Sequence, residues 1–367
     1  MRSLLDSTAK KVVLAIAVLA VLVGAGAAVA VSSGSGDSAT GTTTTTTSST
    51  TTTEAPTTTT TVPPPPPVFP LTGEPAPDVP AAAQPAVVVK IDNLEPSARP
   101  QVGVNQADVV FEEQVEGGIT RFLAVFQSTD QAPVGPVRSA RSSDVGIVSM
   151  LNRPLMAWSG ANDIFAAQIR ASNIVDVGYD VAGDLYYRER SRRSPHNLFL
   201  SSIGEAWARP HDGSGPPPAL FRFRAPGEAP AGLEPVSHVR VTFSQMRGNA
   251  PVDYVWDGAG WARTQAGRPH VDADGVQVAP ANVVVQFVEY VGADANDKAG
   301  HPLPEAALVG EGEAWVLTAG GMVRGRWVKP TPEDVTQYLD AAGQPIALSP
   351  GRTWVALPPP GGAAVLG

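Results

Sequence analysis

The stretch Ala107-Asp-Val-Val-Phe-Glu-Glu-Gln-Val-Glu-Gly-Gly-Ile-Thr-Arg-Phe-Leu-Ala-Val-Phe-Gln127 decides how the folded part of this chain is read. Two runs rich in Val, Ile and Phe, Ala107 to Glu116 and Ile119 to Gln127, flank Gly117-Gly118, and paired glycines between β-type runs specify a tight hairpin. A two-residue loop fixes the register. With Glu116 opposite Ile119, Gln114 pairs with Arg121, Glu112 with Leu123 and Val110 with Val125. One face then carries Glu112, Gln114, Glu116 and Arg121; Val109, Phe111, Val115, Phe122, Ala124 and Phe126 make the other face and meet the core. Glu112 and Arg121 become diagonal neighbours, either a solvated surface pair or part of a polar ligand site.

Before the hairpin, Ala86 to Ile91 is a β-branched strand ending in the turn residues Asp92-Asn93. After it comes Val134-Gly-Pro-Val-Arg-Ser-Ala-Arg141-Ser-Ser-Asp144. Gly135 and Pro136 break the chain, Ser142 or Ser143 caps a helix, and Asp144 in its first turn complements the dipole. Arg138 and Arg141 then stand at a helix entrance, a place suited to an oxyanion; the alternative is that both bond hairpin carboxylates and fix the fold. Asp163 to Arg170 reads as a short helix. Tyr186 to Asn197 gathers Arg188, Arg190, Arg192 and Arg193 before Ser194-Pro-His-Asn197. The charge run reads as a solvated loop, whereas His196, close to Arg188 and Asn197, is a candidate acid, base or ligand, or a hydrogen-bonded structural histidine.

Residues 1–11 precede an unbroken apolar run, Val12 to Val31, whose twenty residues suffice to cross a hydrocarbon core of about 30 Å. Arg2, Lys10 and Lys11 lie before it, so a single-pass signal-anchor would leave the rest of the chain outside the cytoplasm. Ala28-Val-Ala30 also has the form of a signal-peptidase site, and cleavage after Ala30 would give a secreted protein. Residues 32–85, with threonine runs and Pro63 to Pro67, read as a disordered stalk. Among the 367 residues there is no cysteine, which excludes disulfides, thiolate nucleophiles, Cys-ligated zinc and lipid attachment to cysteine; a net charge of −9 argues against nucleic-acid binding.

Residues 216–235 form a Pro/Gly-rich connector. Beyond it Val236 to Phe243, Pro251 to Trp256, Asn282 to Tyr290, Ala314 to Leu317, Met322 to Val328 and Thr353 to Leu357 are short β-type runs split by turn residues. The fold class expected is an α+β N-terminal domain (86–215) followed by a mainly-β C-terminal domain (236–358), with a flexible tail at 359–367. Trp256, Trp261, Trp315, Trp327 and Trp354 are read as core rather than as a sugar-stacking platform. Residues 270–275 form an Asx-type turn, not a calcium loop, because Val283 stands where an EF-hand needs a carboxylate.

The strings Lys90-Ile-Asp-Asn93, Arg99-Pro-Gln101, Ala107-Asp-Val-Val-Phe-Glu112, Val115-Glu-Gly-Gly-Ile-Thr-Arg121, Gly135-Pro-Val-Arg-Ser-Ala-Arg141 and Pro195-His-Asn197 resemble the YerB-like family of bacterial proteins, and Trp256 to Trp261, Gly267 to Asp272, Asn282 to Gln286, Gly325 to Lys329 and Pro350 to Trp354 resemble its C-terminal part. The resemblance runs from about Val87 to Leu357. It implies an exported, envelope-attached protein with a two-part domain of unknown function and brings no reaction. The family's lipoprotein label does not transfer, since a lipobox needs a cysteine. Walker, zincin and Gly-x-Ser-x-Gly motifs are absent, no metal site is expected and no cofactor is specified. Glu112, Glu116, Arg121, Arg138, Arg141, Asp144, Arg188, His196 and Asn197 are the candidate ligand residues, for an anionic or glycan-type cell-wall polymer. The alternatives are an exported phosphoryl-transfer or phosphodiester-cleaving enzyme and a protein-binding scaffold.

Overall fold

Val-Val-Val-Lys-Ile-Asp is a run in which β-branched residues dominate, and it forms a strand, β1 (Val87–Asp92), buried at every position. The computed structural model describes residues 66–244, 250–296, 300 and 302–367; the predicted membrane span at 12–31 and most of the predicted stalk lie outside them. Among the described residues no helix is long and apolar enough to cross a membrane. The described residues belong to one compact unit.

The hairpin strands are β2 (Val109–Gln114) and β3 (Thr120–Phe126), followed by β4 (Leu155–Ala157) and β5 (Val175–Asp176). An 11-stranded sheet has the order Gln337–Leu339, Gly321–Lys329, Gly310–Thr318, Asn282–Gln286, Thr353–Leu357, β2, β3, β1, β4, β5, with Glu234–Pro235 pairing to Gly321–Lys329. The sequence anticipated an α+β N-terminal part and a mainly-β C-terminal part; the structure has a mixed α/β part followed by a mainly-β part, and they share this one sheet. β1, β4 and β5 are mutually parallel, as are β2, Thr353–Leu357 and Asn282–Gln286, and β3 is antiparallel to both β1 and β2. All these strands except β3 therefore point one way, and their carboxyl ends line one edge.

Both faces are covered. A 5-stranded sheet (Arg268–Pro269, Trp261–Gln265, Val252–Trp256, His238–Val241, Ala363–Val365) packs Val239, Tyr254 and Trp261 with Val110, Phe122 and Trp354. On the other face the helices Ser143–Val148 and Asp163–Ala171 bring Ile147, Val148 and Ile169 against Val109, Phe111 and Leu123. Trp261, Trp315, Trp327 and Trp354 are core residues, as read from sequence.

The expected hairpin register is corrected by one residue. The loop is Glu116–Gly118, three residues long, with Gly117 at φ 72° and Gly118 at φ 71°, a conformation that favours glycine at both positions. Gln114 pairs with Thr120, Glu113 with Arg121 and Glu112 with Phe122. A one-residue slip exchanges faces, so Arg121 shares a face with Glu113, Phe111 and Leu123, while Glu112 lies beside Phe122 on the opposite one. Neither face is solvated.

Two boundaries also change. Residues 66–85 are not stalk: Phe69, Leu71, Thr72 and Ala76 are buried, and Val79–Ala82 is a one-turn helix capped by Asp78. Proline content suggested an extended spacer, but Phe69 and Leu71 supply apolar anchors. The tail at 359–367 is likewise held, since Ala363–Val365 pairs with His238–Val241 as an edge strand.

Fully buried Glu112 accepts hydrogen bonds from Arg263 (2.8 and 3.0 Å), Thr120 (2.8 Å) and Trp354 Nε1 (3.0 Å). The Arg263 guanidinium stacks over the rings of Trp354 and Phe122 and meets His270 Nδ1 at 2.6 Å. Replacing Arg263 with leucine should therefore cost about 3–5 kcal/mol by stranding a buried carboxylate, and Glu112→Leu/Arg263→Leu should recover part of it, as read by urea unfolding. Lys329 presents the converse case. It is 1% exposed, and the hydrogen bond of its Nζ is to Met150 Sδ at 3.5 Å. Burial, opposed by the charges of Asp334 and Glu333, pushes its pKa down to about 8. The unfolded chain then binds more protons between about pH 8 and the usual value near 10.5, so stability rises with pH across that window. Lys329→Met should stabilise the protein at pH 7 by up to about 3 kcal/mol, and thermal melts should show the gain shrinking above pH 8.

Candidate functional site

The carboxyl edge of the parallel strands is where an open sheet with crossover connections places ligands, because the departing loops diverge there. Asp92 is the last residue of β1, and its side chain is 1% exposed. Its Oδ2 accepts from Arg138 Nε at 2.9 Å and meets His196 Nδ1 at 2.6 Å, while Leu94 N–H donates to Oδ1 at 3.2 Å. The backbone brings these groups together. Arg138 N–H donates to Lys90 C=O (2.8 Å), Val137 N–H to Leu198 C=O (2.6 Å) and Ser159 N–H, just beyond β4, to Arg138 C=O (3.0 Å). Arg138 and His196 side chains are 22% and 12% exposed, so both reach the surface from a buried carboxylate. Among the described residues, neither Arg138 Nη nor His196 Nε2 makes a hydrogen bond.

Beside this group, Glu116 joins two more arginines. Arg141 holds it through Nε at 2.7 Å and through Nη2, and Arg121 Nη2 approaches at 3.2 Å. Arg141 Nη1 also donates to Ala140 C=O at 2.6 Å and Arg121 Nη1 to Ser139 C=O at 2.9 Å, and among the described residues the buried Arg121 Nε has no hydrogen-bond partner. Burial raises the Glu116 pKa, but the Arg141 hydrogen bond and both guanidinium charges prevail and hold it at about 2. Arg121 falls to about 10, first through burial and then through the charges of Arg141 and Arg138, against the opposing carboxylates. Three guanidiniums thus crowd two carboxylates.

Under the surface, Lys90 Nζ donates to Asp144 Oδ1 (2.6 Å) and to Glu113, and Asp144 Oδ2 accepts the Arg141 N–H (2.8 Å). Burial pushes the Glu113 carboxyl up against the pull of Lys90, with Asp144 adding to the rise.

Of the residues expected from sequence, the structure gathers Glu116, Arg121, Arg138, Arg141 and His196. Arg188, exposed on the strand pair that follows β5, donates to Asn197 at 3.0 Å and lies 5.5 Å from the Tyr179 ring. Glu112 does not belong to the site, for the register puts it on the opposite face with Arg263. Asp144 is wholly buried with Lys90. The helix Ser143–Val148 has only six residues and Asp144 already takes the Arg141 N–H there, so the expected anion site at that helix end is corrected as well. Asp92, Lys90 and Glu113 escaped the sequence reading. Their signal was present, because charged residues inside an otherwise apolar strand require buried partners.

Two family models match the chain, "Protein of unknown function (DUF3048) N-terminal domain" over residues 71–210 and the DUF3048 C-terminal domain over residues 239–355. A Bacillus subtilis (strain 168) protein named "Putative lipoprotein YerB" is 38% identical over 136 residues, a match that takes in 36% of this chain and 39% of the relative. The crystal structure of YerB protein from Bacillus subtilis superposes with a TM-score of 0.69 at 24% identity, covering 82% of this chain and 99% of that one, so the fold is shared. With both halves matched in order, the chain belongs to the YerB-like DUF3048 family.

Proposed function

We propose that this is a membrane-attached, extracytoplasmic envelope protein that binds an oxyanion, such as a phosphate group of a cell-wall polymer, at Asp92, Arg138 and His196. The attachment rests on the apolar run Val12 to Val31, since a chain without cysteine cannot carry the relative's lipid anchor; the relative's lipoprotein name supports only the extracytoplasmic location. The observation that carries the ligand is Arg138. Asp92 takes its Nε and so fixes the guanidinium, leaving both terminal nitrogens to offer the paired donors that match phosphate or carboxylate. Arg121 and Arg141 supply positive potential but few free donors, because Glu116 and backbone carbonyls occupy most of theirs. Protonation of His196 would add a charge beside Arg138.

His196 favours one further reading, that of a phosphodiester-cleaving or phosphoryl-transfer enzyme. A histidine oriented through Nδ1 by a buried carboxylate, with Nε2 unbonded, has the arrangement of a general base. Binding alone and turnover are separable.

Inorganic phosphate and pyrophosphate should raise the melting temperature of the full-length protein, and calorimetric titration should show at least about tenfold weaker binding by Arg138→Lys with little change in the melting temperature of the free protein. Arg141→Lys should do the reverse, lowering stability through Glu116 while sparing much of the affinity. Undiminished pyrophosphate binding by Arg138→Lys would refute the assignment. Turnover of bis(p-nitrophenyl) phosphate that disappears in His196→Gln would decide for the enzyme.

A further inference from the structure

A second site lies at the opposite edge of the sheet, where β2, Thr353–Leu357 and Asn282–Gln286 begin. A cavity of about 490 Å³ there is lined by Glu74, Asp108, Ser128 and Asp257, and by Arg352. The volume is within the range of small-molecule sites. The cavity shares no lining residue with the oxyanion site.

Its charges are unevenly satisfied. Asp108 is saturated, since the N–H groups of Gln127 (2.6 Å) and Ser128 (2.9 Å) and the Ser128 hydroxyl donate to it. Asp257 accepts from Ala259 and Gly260 N–H, both at 2.8 Å. Glu74 and Arg352 are different. The Glu74 carboxylate is exposed and the Arg352 guanidinium half-buried, and among the described residues neither side chain makes a hydrogen bond or ion pair. Burial disfavours the Arg352 charge, and Glu74 is the strongest of the carboxylates that offset this. Two opposite charges thus face one cavity without pairing.

We propose that this cavity binds a zwitterionic ligand, an amino acid or short peptide, with its carboxylate on Arg352 and its ammonium on Glu74. A simple anion would be attracted by one guanidinium and repelled by three carboxylates. A simple cation would leave the half-buried Arg352 guanidinium partly desolvated and unpaired, which is unfavourable. A molecule carrying both charges satisfies both groups, and the guanidinium fork matches a carboxylate bidentately.

The test is calorimetric titration of full-length protein with glycine, L-alanine and L-alanyl-L-alanine, beside N-acetyl-L-alanine and L-alaninamide as single-charge controls. At least one zwitterion should bind, and both controls should bind at least about tenfold more weakly. Glu74→Gln changes only an exposed side chain and Arg352→Gln removes the fork; each should weaken the zwitterion by about tenfold or more. Arg138→Lys should leave this binding intact, which separates it from the oxyanion site. Absence of binding by every zwitterion, equal binding of N-acetyl-L-alanine, or full affinity in Glu74→Gln would overturn the proposal.

Discussion

The ion pair between Glu112 and Arg263 is the constraint on which the rest of the architecture turns. Neither group is exposed, so each charge has to be compensated inside the protein, and each is. Thr120 and Trp354 complete the carboxylate, and two aromatic rings enclose the guanidinium. The contact joins β2 to the second sheet and to the strand Thr353–Leu357. Such a pair contributes little net stability against an apolar replacement, but it penalises any register that fails to bring both charges together. It acts as a device of specificity.

The same logic organises the carboxyl edge. β2 carries Glu112 and Glu113 side by side, and a strand sends neighbours to opposite faces. Glu112 finds Arg263 on one face; Glu113 finds Lys90 on the other, below the arginine cluster. The arginine cluster proposed as the binding site continues that second face to the surface, where Asp92 and Glu116 no longer match Arg121, Arg138 and Arg141 charge for charge. An excess of guanidiniums over carboxylates, partly shielded from water, favours a bound anion.

Strand positions were legible in the sequence. Thr353–Leu357 has the boundaries that its composition implied, Val252–Trp256 begins one residue later than expected, and Asp163–Ala171 extends the expected helix by one residue. Local β propensity and Gly, Asp and Asn turns suffice for that. The hairpin register was not legible, because it depended on whether the glycines form the whole loop or its last two-thirds, and Glu116 proved to be its first residue. The apolar pattern offered no check, since β2 and β3 are buried on both faces. Arg138, Arg141 and His196 were identifiable as residues that needed a partner, but Asp92 looked like a turn residue. Its contact with His196 spans 104 positions, a distance at which spacing conveys nothing.

The placement of Thr353–Leu357 has a consequence for how the chain becomes a protein. This strand enters the middle of the sheet, between Asn282–Gln286 and β2, and Trp354 bonds a carboxylate 242 residues earlier. The first half of the chain therefore leaves the ribosome with an unfilled sheet edge, and the slot closes only after Thr353–Leu357, the last strand of this sheet in chain order, has been made. Closing so long a loop is an entropic demand met late, which makes for high contact order and slow folding. A sheet that stays open until Thr353–Leu357 arrives cannot lock early, so the topology itself holds back folding until nearly all of its strands have been made.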